Sequence, residues 1–193
     1  IYTKPLSKNL WHDFEQYFEF EGACSGCWCM NHRLPMGLDF EGEAAKLAVK
    51  QLIQSNRVFG VLAYFKEDPI PVGWAALDRR KTLPGHDCIG ENLQCPPHDW
   101  AIHCLTTRND RKNLGIETVL INAATDLAIE LGAQRIESYP EPNSAQSKAF
   151  STWNTFSGHQ QSFTNLGYTP LKNIDTTQAE FFQVMEKQIT PNS

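Results

Sequence analysis

One stretch constrains this chain more than any other: Trp100-Ala-Ile-His-Cys-Leu-Thr-Thr-Arg-Asn-Asp-Arg-Lys-Asn-Leu-Gly-Ile-Glu-Thr-Val-Leu. Residues 100–106 read as a strand, 107–113 as a polar turn, and 115–131 as a helix with Ile116, Val119, Leu120, Ala123, Leu127 and Leu131 on one face, ended by Gly132. A further strand is predicted over 135–139, closed by Pro140. The first amides of a helix have no partner inside it, so a turn that opens a helix is a ready anion site. Gly115 lets a ligand approach the backbone closely. Arg108, Arg111 and Lys112 make this turn basic in a chain whose net charge is −5, and a phosphate-bearing ligand fits that arrangement. The plainer alternative is a capped helix with a solvated basic turn.

The rest of the sequence frames that unit. Helices are predicted over 8–20, with Trp11, Phe14 and Phe18 on one face, and over 43–54, with Ala44, Leu47, Ala48, Leu52 and Val49 buried. Residues 58–65 and 71–77 read as a strand hairpin around Glu67-Asp68-Pro69, and 79–99 as a long loop. A short helix over 160–166 and a last strand over 181–187 complete the reading, and 145–157 has no clear period. All 193 residues are expected to form one mixed α/β domain with a sizeable core. The acidic balance argues against a nucleic-acid partner. No apolar run reaches membrane length, so no membrane partner is expected. No basic-then-apolar leader opens the given residues, so the six cysteines are read as thiols in a cytoplasmic, reducing setting.

The run from Lys112 to Glu117 resembles the acyl-CoA signature of the Gcn5-related N-acetyltransferases (GNAT), Gln/Arg-x-x-Gly-x-Gly/Ala. The wider pattern is similar to a bacterial branch of that superfamily: Gly26-Cys27-Trp28-Cys29-Met30, Pro71-Val72-Gly73-Trp74, Cys104 on the signature strand, Ser138-Tyr139-Pro140, Phe156-Ser157-Gly158, and Phe163 through Tyr168. The resemblance implies a mixed, mostly antiparallel sheet flanked by helices and splayed at the signature strand. It implies acetyl transfer from acetyl-CoA to a small-molecule or peptide amine, and pairing of two copies through the last strands. Leu105, Thr106 and Thr107 would face the pantetheine arm. Lys112, Asn113, Leu114, Gly115, Ile116, Glu117 and Thr118 would surround the pyrophosphate. Trp28 and Arg33 would contact the acceptor.

Two positions depart from the pattern. Glu117 replaces the second small residue, and would repel a diphosphate if it pointed at one. Phe163 stands where many relatives carry the Tyr that protonates the departing thiolate. Tyr139 is the candidate substitute acid, and His103 and Glu137 are candidate bases. The plainer reading of His103 is a strand residue bonded to a neighbour, and of Glu137 a solvated strand charge. These departures leave room for a non-catalytic acyl-CoA-binding or sensor domain. A third reading starts from Cys24, Cys27, Cys29 and His32, four soft ligands within nine residues, with Cys88 and Cys95 plus His86 or His98 supplying the second half of a metal site if the long loop folds back. The preferred reading has no metal and packs this element beside the acceptor cleft.

Overall fold

The computed structural model describes residues 1–21, 26–34, 41–84, 97–140, 157–171 and 183–190. In chain order the strands are β1 (Tyr2–Pro5), β2 (Phe59–Tyr64), β3 (Gly73–Arg79), β4 (Asp99–Thr107), β5 (Arg135–Ser138), β6 (Thr169–Pro170) and β7 (Met185–Gln188). The helices are α1 (Trp11–Glu21), α2 (Gly42–Gln54), α3 (Ile116–Glu130) and α4 (Gln160–Asn165). The strands form one sheet in the order β1-β2-β3-β4-β5-β7-β6. Every neighbouring pair is antiparallel except β4 and β5, which α3 connects in parallel.

Both faces of the central strands are covered, so their sequences run apolar without alternation. Trp74, Ala76, Leu62 and Cys104 face a cluster with Phe14, Tyr17 and Phe18 of α1 and Ala45, Val49 and Ile53 of α2. Ala75, Leu77, Ile102 and Leu105 face a second cluster with Ile116, Leu120, Ile121 and Ala124 of α3. Gly60 is required where β2 passes under Trp74, because a Cβ there would lie 2.3 Å from the indole.

Two helix faces differ from the expected ones. In α2 the buried stripe is Ala45, Val49 and Ile53, and Leu47 is 51% exposed. The rotation is fixed by Lys46, which bonds Glu15 at 2.8 Å and Glu19 at 2.6 Å on α1 and lies over Trp28. In α3, Ile116 and Leu120 are buried as expected, but Ile121, Ala124, Thr125 and Ala128 complete the face and Leu131 lies outside it. Small residues bring this helix close to the sheet, and Thr125 bonds the buried Tyr168 hydroxyl at 2.8 Å.

A bulge positions the site. Ala76 pairs with Cys104 and Leu77 with Ile102, which leaves His103 as the extra residue. On its other edge β4 pairs with β5 only from Asp99 to Ile102. Beyond His103 the two parallel strands part, and this is the splay that the resemblance implied. The expected reading of 145–157 falls mostly outside the described residues, as do Cys24, His86, Cys88, Cys95 and Phe156.

Candidate functional site

Between β4 and α3 the chain makes a 3-10 turn, Asn109–Arg111, and then two left-handed residues, Asn113 (φ 63°) and Gly115 (φ 75°). Gly115 caps α3 with no side-chain hydrogen bond, and a Cβ on it would meet nothing within 4 Å. The amides of Ile116, Glu117 and Thr118 open the helix, and residues 112–115 are exposed. The result is an open, amide-lined helix start with the positive end of the helix dipole behind it.

The turn is less basic than its sequence suggests. Arg108 is buried and bonds Asp68 at 2.9 Å and Asp110 at 2.8 Å. Arg111 bonds the same Asp68 at 3.2 Å and lies over Phe65. Burial pushes the Asp68 carboxyl up, but the Ile70 amide and the two arginines outweigh it and hold the pKa below the usual carboxylate range. These arginines lock the turn to the β2–β3 connection. Lys112 is the basic side chain of the three that stays exposed.

Glu117 is engaged by the protein's own chain. Its Oε1 accepts the His159 amide at 2.9 Å and its Oε2 meets His159 Nδ1 at 2.8 Å. The segment so held runs along the splay: Ser157 forms a parallel bridge with Leu105, and a Cβ on Gly158 would lie 2.6 Å from the Leu105 side chain. The backbone at Leu105, expected to face a pantetheine arm, is thus met by the protein itself. Thr106 is buried, pairs with Trp74, and shares a hydrogen bond of 2.7 Å with Tyr17. Thr107 is half-buried at the strand end, and Leu114 is exposed.

The opposite face of β3–β5 carries a buried polar cluster. Glu137 Oε2 accepts from Arg80 Nε at 3.0 Å and from the Tyr139 hydroxyl at 2.7 Å, and its Oε1 accepts from Arg135 at 2.6 Å. Glu137, Tyr139 and Arg80 are each 2% exposed. Both oxygens of the candidate base are engaged. The candidate acid already donates its proton to that base. Arg33 pairs with buried Asp78, and its Nε and Nη2 meet no acceptor among the described residues. His103 at the bulge packs its ring on His32 at 5.4 Å, and burial holds the His32 pKa below its ordinary value. Trp28, expected at the acceptor, is buried and stacks on Phe18 at 5.4 Å. Phe163 is fully buried edge-on to Tyr168.

Sequence reasoning missed Asp78, Arg80 and Arg135. The available signal was weak: Asp78 interrupts an apolar strand run, and a charge there needs a buried partner or water.

No family model and no curated protein matches this chain. Solved structures do match. The aminoglycoside 6'-acetyltransferase type Ii superposes with a TM-score of 0.57 at 13% identity, over 100% of both chains. The GNAT domain of S. lividans PAT gives 0.57 at 13% identity, over 97% of this chain and 89% of that one. The yncA protein of Salmonella typhimurium, solved with its cofactor acetyl-CoA, gives 0.55 at 12% identity, over 100% and 95%. At such identities the likeness is one of fold: this chain has the GNAT fold.

Proposed function

We propose that this chain is an acetyl-CoA-dependent N-acetyltransferase of the bacterial GNAT branch that carries the Gly-Cys-Trp-Cys-Met element. The reading treats residues 1–193 as one cytoplasmic acyltransferase domain. The observation that carries it is the open start of α3 next to the splay of β4 and β5. Amides from Lys112 to Thr118 would hold the pyrophosphate, with Lys112 adding charge and Gly115 allowing close approach. Leu105 to Thr107 would run beside the pantetheine arm. Bound there, acetyl-CoA supplies an activated acetyl thioester. The acceptor is an amine on a small molecule or peptide. The structures of the same fold include an aminoglycoside acetyltransferase and a complex bound to a peptide and CoA.

The protein's work on this reading is positioning and proton handling. The bulge sets His103 at the point where β4 leaves β5. His103 and Glu137 would take up the amine proton, directly or through water. Tyr139 would return one to the leaving sulfur, and Glu137 orients its hydroxyl. Arg33 would contact the acceptor, and Trp28 would hold the segment that carries Arg33 against α1. Two copies would pair through the last strands, as in the family.

The non-catalytic reading keeps one specific support: Tyr139 and Glu137 are tied to each other and to arginines. Equilibrium binding of acetyl-CoA and thiol release with a broad amine panel separate the two. Binding with release supports the enzyme, and binding without release on any amine supports the sensor. Absence of acetyl-CoA and CoA binding overturns both.

A further inference from the structure

Cys29 and Cys104 come from distant parts of the chain, yet their Sγ atoms lie 3.3 Å apart. Both thiols are 2% exposed and neither has a part in the proposed transfer. Cys29 belongs to a tight turn with two consecutive left-handed residues, Trp28 (φ 49°) and Cys29 (φ 54°). Non-glycine residues hold that conformation only where surrounding contacts enforce it. Trp28 supplies such contacts by packing on Phe18, Phe14 and Trp11. Cys104 sits on β4 opposite Ala76, one residue past the bulge. The pair therefore joins the acceptor-side segment to the strand that opens the splay.

A metal is one use for such a pair. Zinc needs four ligands, and His32 and His103 stand nearby. However, no three His, Cys, Asp or Glu side chains among the described residues are grouped to hold a metal ion. Two adjacent thiols share a redox chemistry that needs no further ligand. Trp74 Nε1 donates a hydrogen bond to Cys29 Sγ at 3.1 Å, which holds that sulfur beside Cys104.

We propose that Cys29 and Cys104 are a peroxide-sensitive thiol pair that closes to a disulfide. The Cys29 thiolate attacks one oxygen of hydrogen peroxide, the O–O bond breaks, and the products are a Cys29 sulfenic acid and hydroxide, which takes up a proton to become water. The Cys104 thiolate then attacks the Cys29 sulfur, the S–O bond breaks, and the departing hydroxide is protonated to water. Two thiols and one peroxide become one disulfide and two waters, and the peroxide takes both electrons. The sulfurs need to approach by little more than about 1 Å to reach bonding distance. Closure ties the segment 26–34 to β4 next to His103.

The test uses the full reduced chain. It is treated with hydrogen peroxide, its remaining thiols are alkylated under denaturing conditions, and it is cut with chymotrypsin. Cleavage after Trp28 and Trp100 separates Cys29 from Cys27 and Cys104 from Cys95. The expected result is a cross-linked pair of peptides containing Cys29 and Cys104, about 2 Da lighter than the reduced pair and restored by dithiothreitol. In Cys104→Ser the cross-link disappears and Cys29 is trapped by dimedone as the sulfenic acid. Cys29 and Cys104 fully alkylated after oxidation, or Cys29 joined to Cys24 or Cys27, overturns the proposal. The decisive readout is the mass of wild-type peptides, so neither a folding defect in a variant nor failure of the acetyltransferase reading affects it.

Discussion

Three donors depend on the buried Glu137 carboxylate: Arg80, Tyr139 and Arg135. Glu137→Gln leaves Arg80 buried without its carboxylate, and removing one partner of a buried pair costs about 3–5 kcal/mol. Urea unfolding should show that loss in the midpoint. Tyr139→Phe removes a hydrogen bond to a charged group, about 1.5–3 kcal/mol of stability. If Tyr139 also protonates the leaving sulfur, kcat falls much further than KM changes. His32 sets a pH dependence. Burial holds its pKa below the value of 6.5 it would have in an open chain, so the unfolded state binds the proton first. Its contribution to stability is complete above that value and is lost as pH falls toward the folded pKa. His32→Phe should flatten the slope of unfolding free energy between about pH 7 and 5. At this scale the sequence was least legible. A charge beside a strand reads as surface, and only the fold reveals that Asp78, Arg80 and Glu137 share a covered face.

At the scale of elements, the strand–turn–helix unit was legible because its boundaries are written locally. The expected strand over 100–106 is β4 within one residue at each end, and the expected helix over 115–131 is α3 within one. Helix faces were less legible, since α3 is apolar on several sides and only the sheet selects among them. The turn's charges were misread for a related reason: Asp68, which neutralises Arg108 and Arg111, lies 40 residues away from the first of them. This makes a separable prediction. Lys112→Ala should weaken acetyl-CoA binding and reduce its dependence on salt, because an exposed cation acts through screened charge. Arg108→Met should lower stability while leaving that salt dependence unchanged. Gly115→Ala should cost about 1–2 kcal/mol through its left-handed backbone alone, as no atom obstructs the added methyl.

For the whole molecule, local periodicity predicted strands and helices without saying which strands would be neighbours. The order β5-β7-β6 brings together strands separated by long connections, and no short-range signal encodes that. The family resemblance supplied the sheet, and the structure agrees with it. What neither periodicity nor resemblance anticipated is the segment at 157–159, bridged to Leu105 and held by Glu117. A groove already filled by its own chain exchanges one occupant for another when it takes up a guest. Entry along β4 then waits on departure of the resident, so the observed association rate for acetyl-CoA should level off with rising concentration instead of climbing in proportion. Gly158→Ala, whose methyl collides with Leu105, should raise that plateau, as stopped-flow measurements would reveal.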